Sequence, residues 1–318
     1  MIKKYLSDFE ILEKQYPGCI PDSLNFNFSK HKGHIVFSGI IHGNETGSLP
    51  ALLEIAKLLA NKKINYGGKV TLLLGNKKAC LKNIRFLEYD LNRSFGNKGP
   101  HENTLEGKRA TEIKKLLLDA DVFVDFHQTT KPSLEPFYIF SMHEKSYLWA
   151  RAIGNSNIFV TRKIKKPYSP EGMCSDEFMR FLSKAGITLE LGEQGIHKNA
   201  EIICLNAMKK ALFIMDDIFL KRKELSKCAR KNKDFTFLEI KHSEIFSTPD
   251  KSLIEDYQNL QKIKKNTPLG KNHNGKFFYA PFDGYILFPQ YPKRNEKGFV
   301  LETLPTYIYT LAREIQKL

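Results

Sequence analysis

Two apolar runs of β-type composition, Ile35 to Ile41 and Val122 to Phe126, break off directly into residues that carry chemistry. His42-Gly43-Asn44-Glu45 follows the first, and Asp125-Phe126-His127 spans the end of the second. In a parallel sheet such strand ends meet at one edge, so a fold that pairs these runs gathers two imidazoles and a carboxylate. Two His and one acidic ligand, with a fourth position left to water, form the donor set of a catalytic zinc. Neither half suffices alone: HxxE spacing arises by chance, and a single His after a strand is commonly a packed structural residue.

Strand-like and helix-like segments alternate through the first two thirds of the chain. Strand-type runs are His34 to Ile41, Val70 to Gly75, Val122 to His127, Phe137 to Phe140, Ile158 to Thr161 and Ile187 to Leu191. Helical spacing joins Leu49, Leu52, Leu53, Ala56 and Leu59, and again Ala110, Ile113, Leu116 and Leu117. Phe178, Phe181 and Leu182, and the run from Ile202 to Leu220, predict two further helices. This alternation predicts an α/β fold with a mostly parallel mixed sheet and helices on both faces. Ligands in such folds bind outside the carboxyl ends of the strands, where His42, His127 and Glu190 fall.

Around Lys221 to Lys233 the pattern changes. The stretch KRKELSKCARKNK is strongly basic and follows the long predicted helix, so its end reads as a linker. Beyond it, short β-like runs (Phe235 to Ile240, Phe277 to Ala280, Tyr285 to Phe288, Phe299 to Leu301) are separated by turn signals such as Asn274-Gly275 and Asp283-Gly284. The expected division is a catalytic domain over residues 1–228 and a small β-rich C-terminal domain over 229–318, with Tyr307 to Leu318 read as a closing helix.

With 318 residues and 42% apolar content the chain can bury a full-sized core. No run approaches the roughly 18 apolar residues a membrane span requires, and Met1 to Gly18 lacks the continuous hydrophobic region of a signal peptide. The five cysteines are scattered and free of CxxC spacing, which argues against a disulfide framework or thiolate metal site and for a cytoplasmic protein. The net charge of +15 comes from dispersed lysines, including pairs at 62/63, 77/78, 114/115 and 264/265, without a nucleic-acid-binding motif. Neither a membrane nor nucleic acid is an expected partner, whereas a positive field suits a small anionic substrate.

A zinc hydrolase needs a carboxylate to take a proton from water and a positive group to meet charge developing on a carbonyl oxygen. Glu190 stands near the end of the buried-looking run Ile187 to Leu191. A carboxylate there is paired, on a metal, or catalytic, because leaving it unpaired costs several kcal/mol. Arg85 and Arg93 lie in the turn-rich segment Asn83 to Phe95, and guanidinium forks recognise carboxylates by two parallel hydrogen bonds.

HGNETG, GNKKACLKNIRFLEYDLNRSFG, DFH and ITLELG, in this order and at these separations, resemble the succinylglutamate desuccinylase/aspartoacylase family of zinc-dependent amidohydrolases. The resemblance runs from about Phe37 to Met208. A second patch, Tyr285-Ile-Leu-Phe-Pro with Gly298-Phe-Val-Leu-Glu302, is similar to the family's C-terminal β-domain. The resemblance implies a zinc carboxypeptidase-like fold, one Zn2+ per chain and hydrolysis of the amide of a small acidic N-acyl amino acid. It implies His42, Glu45 and His127 as zinc ligands, Glu190 as general base and Arg85 as the group polarising the carbonyl. Asn92 and Arg93 would hold the α-carboxylate and Arg180 the distal carboxylate of the substrate. Asp90 and Asp125 are then candidates to accept the second N–H of the ligand histidines. Gln128-Thr129-Thr130 and Glu193-Gln194-Gly195 follow neither branch of the family fully, and substrate choice is expected there. Two alternatives stay open at this point, a zinc carboxypeptidase acting on peptide C-termini and a non-catalytic basic binding module, as does a homo-oligomeric state.

Overall fold

The computed structural model describes residues 1–96, 101–162, 169, 171–272, 274–296, 300–301 and 304–316. Its helices are α1 (Ile2–Gln15), α2 (Leu49–Ala60), α3 (Lys77–Leu81), α4 (Leu105–Asp119), α5 (Glu144–Ile153), α6 (Ser175–Phe181), α7 (Lys198–Phe219) and α8 (Leu225–Ala229). Its strands in the first 200 residues are β1 (Ser23–Asn27), β2 (His34–Gly39), β3 (Lys69–Leu74), β4 (Val122–Thr129), β5 (Phe137–Ile139), β6 (Ile158–Thr161) and β7 (Ala185–Glu193). The remainder are β8 (Thr236–Ile245), β9 (Ser252–Leu253), β10 (Lys262–Ile263), β11 (Pro268–Lys271), β12 (Phe277–Tyr279), β13 (Gly284–Leu287) and β14 (Tyr307–Ile315).

Among the described residues, eleven strands form one sheet in the order β1-β3-β2-β4-β7-β5-β6-β8-β14-β13-β10. The strands β3, β2, β4 and β7 run parallel, with β5 antiparallel to β7. Their side chains alternate between two cores. Ile35, Phe37, Val124 and Phe126 enter a core covered by α1, α2, α5 and α7, while Val36 and Phe123 enter one covered by α4 and α6. Burial on both faces explains why these strands read as unbroken apolar runs. It also makes this the expected α/β fold with a mixed sheet between helices.

The pairing that positions the chemistry is between β4 and β7, which sets Asp125 beside Thr188 and His127 beside Glu190. On the other side of β4, Asp125 pairs with Ser38 of β2, four residues before His42. The strand ends therefore converge at one edge, as the sequence pattern requires.

Three features of the C-terminal part were not read from the sequence. Tyr307 to Leu318 is not a closing helix: its described part forms β14, laid between β8 and β13. The run Tyr-Ile-Tyr-Thr favours a strand, and five consecutive buried residues leave no polar helical face. The basic stretch, of which only the end reads as a linker, holds α8 ahead of that end, with Cys228 and Ala229 buried against the first core. Finally, β8 pairs in parallel with β6, so the large sheet crosses position 228 without a break. A separate small antiparallel sheet, β12-β11-β9, caps its own apolar cluster around Phe246, Tyr257 and Tyr309. Of the expected strand Phe299 to Leu301, Phe299 lies outside the described residues, as do Gly298 and Glu302 of the second family-like patch; Val300 bridges Arg294. All five cysteines are free, and among the described residues no helix is long and apolar enough to cross a membrane.

Candidate metal centre

β2 ends at Gly39, and the chain turns sharply into the loop that carries His42 and Glu45. Ile40 takes φ 51°, a region costly for a β-branched side chain, so the surrounding structure holds this turn against local preference. Gly43 sits where a Cβ would collide with the backbone of Ala79 and Cys80, and its N–H donates to the Arg85 carbonyl at 3.0 Å. The loop is thereby pressed onto α3 and onto the segment bearing Arg85.

His42, Glu45 and His127 meet there, all buried, with one potential ligand atom of each lying within 4.8 Å of the others. No other such cluster occurs among the described residues. His42 Nδ1 lies 2.7 Å from Glu45 Oε1, His127 Nδ1 2.9 Å from Glu45 Oε2, and the two Nδ1 atoms 3.2 Å apart. Each imidazole turns its other nitrogen to a carboxylate: His42 Nε2 to Asp90 at 3.1 Å and His127 Nε2 to Asp125 at 2.9 Å. Those carboxylates favour the tautomer with the proton on Nε2, which leaves a lone pair on each Nδ1. Electron-pair donors facing one another and a carboxylate repel unless a proton or metal cation lies among them. The donor set therefore fits a divalent metal of the zinc type.

The electrostatics follow the same arrangement. Burial alone would raise the Glu45 carboxyl, but His42 and His127 hold it well below the ordinary carboxylate range. Asp90 is likewise held low against its burial by Arg85 and His42. His127 is raised well above the ordinary imidazole value, the carboxylates of Asp125 and Glu45 overriding its burial.

Glu190 stands beside His127 in the neighbouring strand, and its Oε2 is buried with no hydrogen-bond partner among the described residues. Burial pushes its carboxyl up to about 8, partly offset by His127 and reinforced by Glu45. A cation at the triad would favour its ionised form.

Arg85 reaches the same site from the loop after α3. Its Nε and Nη2 donate to Asp90 Oδ2 at 3.1 and 3.0 Å, and its Nη1 lies 3.4 Å from Glu45 Oε1. Asn92 accepts at Oδ1 from the N–H of Ser175 at 2.9 Å, leaving its Nδ2 as a donor. Arg93 Nη1 donates to the Asn92 carbonyl at 2.7 Å, and Arg93 Nε lies 3.6 Å from Glu171. Arg180 is placed elsewhere. Its Nη1 is bound to Asp176 at 2.5 Å and to the Gly186 carbonyl at 3.1 Å, four residues before Glu190 on β7. Seven of the eight residues singled out from the sequence thus gather around one strand edge, while Arg180 makes its bonds to Asp176 and Gly186.

Three further residues complete the site. The Ser175 hydroxyl donates to Asp125 Oδ2 at 2.6 Å, linking Asn92 to the carboxylate behind His127. Glu106, fully buried on α4, accepts from the backbone N–H groups of Leu87, Glu88 and Tyr89 and from Asn76 Nδ2, and so fixes the loop that presents Arg85 and Asp90. Gln128 joins the loop of Glu45 to the end of β7. Side-chain bonds to the backbone of a distant loop leave no spacing in a sequence; only the acidic Glu106 in the first turn of an otherwise apolar-periodic helix hints at one.

The profile of the succinylglutamate desuccinylase/aspartoacylase catalytic domain matches residues 32–215, more than half of the 318 residues. The succinylglutamate desuccinylase of Pseudomonas paraeruginosa is 34% identical over 82 residues, 26% of this chain and 25% of that protein. In that match the chain spans about a quarter of its relative's length. The succinylglutamate desuccinylase of Serratia proteamaculans is 24% identical over 267 residues, covering 80% of this chain and 79% of that protein. Among solved structures, succinylglutamate desuccinylase from Vibrio cholerae superposes with a TM-score of 0.69 at 17% identity, over 92% of this chain and 85% of that one. At that identity the likeness is one of fold.

Proposed function

The chain belongs to the succinylglutamate desuccinylase/aspartoacylase family, and we propose that it hydrolyses the amide of an N-acyl amino acid of the N-succinylglutamate or N-acetylaspartate type. One zinc ion would be held by His42, Glu45 and His127. The observation that carries this reading is the convergence of three electron-pair donors beside the unpartnered oxygen of Glu190.

A zinc ion in this donor set supplies Lewis acidity toward water and the substrate carbonyl. The remaining roles fall to the chain's own side chains. Glu190 takes the proton of the attacking water at Oε2 and delivers it to the amine nitrogen as the C–N bond breaks. Arg85, fixed by Asp90, meets the charge developing on the carbonyl oxygen. Asn92 Nδ2 and Arg93 hold the α-carboxylate, which exchanges with Glu171 for the Arg93 guanidinium. Arg180 Nη1 is held by Asp176, and its buried Nη2, without a hydrogen-bond partner among the described residues, is the atom left to grip a distal carboxylate. Arg180→Ala therefore separates two roles: a raised KM confined to substrates with a second carboxylate assigns it to the substrate, and lower stability with unchanged KM assigns it to α6.

The test is release of free amine from a panel of N-acyl amino acids and short peptides, with and without a chelator. Chelator-sensitive cleavage of acylated acidic amino acids supports the reading. Cleavage of peptide C-termini alone would replace it with the carboxypeptidase alternative, and no cleavage of any panel member by zinc-loaded protein would remove it.

A further inference from the structure

Gln128, the residue after the ligand His127, is buried, and both atoms of its side-chain amide are engaged. Its Oε1 accepts from the Gly47 N–H at 2.7 Å, and its Nε2 donates to the carbonyls of Glu193 at 2.5 Å and Gly195 at 2.9 Å. Its own backbone N–H donates to Glu45 Oε2 at 3.0 Å. These partners lie in two separate parts of the chain, the loop of Glu45 and the exit of β7 beyond Glu190, and Gln128 joins them from the end of β4. Two bonds run alongside, from Asn44 Nδ2 to Gln194 Oε1 at 3.4 Å and from the Gln194 N–H to the Thr129 carbonyl at 2.9 Å. The two stretches that follow neither branch of the family thus meet each other.

We propose that Gln128 is a positioning residue that sets the affinity of the His42, Glu45, His127 triad for its divalent cation, by clasping the Glu45 loop to the exit of the strand that carries Glu190. The proposal rests on the reading of that triad as a metal site. Glu45 lies on a loop rather than on a strand, so its carboxylate is only as well placed as the backbone following it. Gln128 Oε1 holds that backbone two residues on, at Gly47, where a Cβ would run into the Gln128 amide. A primary amide is the group this arrangement needs, because one end must accept from an N–H while the other donates to two carbonyls. A carboxylate in its place keeps the acceptor and sets a negative oxygen against both carbonyls. Gln128 is therefore spent on the backbone rather than turned toward a substrate. Groups that hold metal ligands in place typically change affinity by about 10–100-fold when removed.

The experiment measures zinc affinity of the full chain by competition with a chromophoric chelator, alongside the melting temperature of the metal-free protein. Gln128→Glu and Gln128→Leu are each expected to weaken zinc by about 10–100-fold, and Gly47→Ala, which drives a methyl into the same amide, to do likewise. Leu59→Ala, a buried change at the far end of α2, lowers the melting temperature and leaves zinc affinity alone. Should Gln128→Leu fail to fold, Gln128→Glu carries the comparison. Zinc affinity unchanged in the folded Gln128 variants overturns the clasp while leaving the metal site standing. Absence of stoichiometric zinc uptake by the wild-type protein overturns both, and is told apart by being seen before any substitution is made.

Discussion

Glu106 and Glu190 are both buried carboxylates, and the difference in their surroundings separates scaffold from chemistry. Glu106 accepts four hydrogen bonds, three of them from consecutive backbone amides. Glu190 keeps one buried oxygen without a partner and is pushed up to about 8, mainly by burial. Replacing Glu106 by Ala would strand those amides. It is expected to cost roughly 3–5 kcal/mol in a denaturant titration, since unsatisfied buried donors and broken buried networks each cost on the order of 1–3 kcal/mol. Glu190→Gln is nearly isosteric, and the prediction is different in kind: stability and zinc content hold while turnover falls by about 10²–10⁴-fold, the usual contribution of a positioned general base. Full turnover in that variant would remove Glu190 from the role. The edge-of-sheet position of Glu190 was legible from its apolar strand, whereas the loop-holding task of Glu106, set in the polar stretch before and into α4, was not.

At the level of elements, the strands that build the site were readable because a strand buried on both faces is an unbroken apolar run ending where the chain must meet solvent. β1 was not read: Ser23–Asn27 mixes polar residues at the sheet edge and is only five residues long. β14 was misread because Leu311, Ala312, Arg313 and Glu314 are good helix formers, and the outcome was decided by β8 and β13 on either side. This placement gives β14 more structural weight than a terminal segment usually has. Leu311, fully buried in the cluster of the small sheet, is the place to measure it. Leu311→Ala should cost about 2–5 kcal/mol by chemical denaturation, the range for a large-to-small change in a packed core. A cost under about 1 kcal/mol, typical of surface positions, would show that β14 is held by its edges alone. Arg180 belongs to this scale too, because the Asp176 partner one helical turn earlier was visible in the sequence, yet only the short α6 lying over Gly186 shows where the pair points.

For the whole molecule, two equilibria are linked to folding. His34 is buried between the Asp119 carbonyl and the Thr71 hydroxyl, far from the metal centre, and burial together with the Lys69 ammonium lowers its pKa to about 4. Because the unfolded chain binds this proton more readily, with a pKa near 6.5, His34 destabilises the fold progressively as pH falls from about 6.5 to about 4, by about 3 kcal/mol in all. Above that window its contribution is flat. Melting curves of the wild type and His34→Gln across pH 4.5–8 should therefore draw together toward the acid end. The second is the proposed equilibrium with metal: zinc at about one hundred times its dissociation constant would add about 2.7 kcal/mol to folding stability. A chelator should accordingly lower the melting temperature of the native protein and leave that of a His42→Ala variant nearly unchanged.

The pairing of β4 with β7 has a consequence that reaches beyond the active site. His127 and Glu190 are opposite one another only in the observed alignment, and successive side chains point to opposite faces. A slip of one residue would bury Glu190 among the apolar residues beneath the sheet and leave the triad facing a leucine. On the proposed function, turnover would be a sensitive gauge of whether two neighbouring strands have found their correct alignment, and refolded material that regains its circular dichroism before its activity would report the time needed to find it.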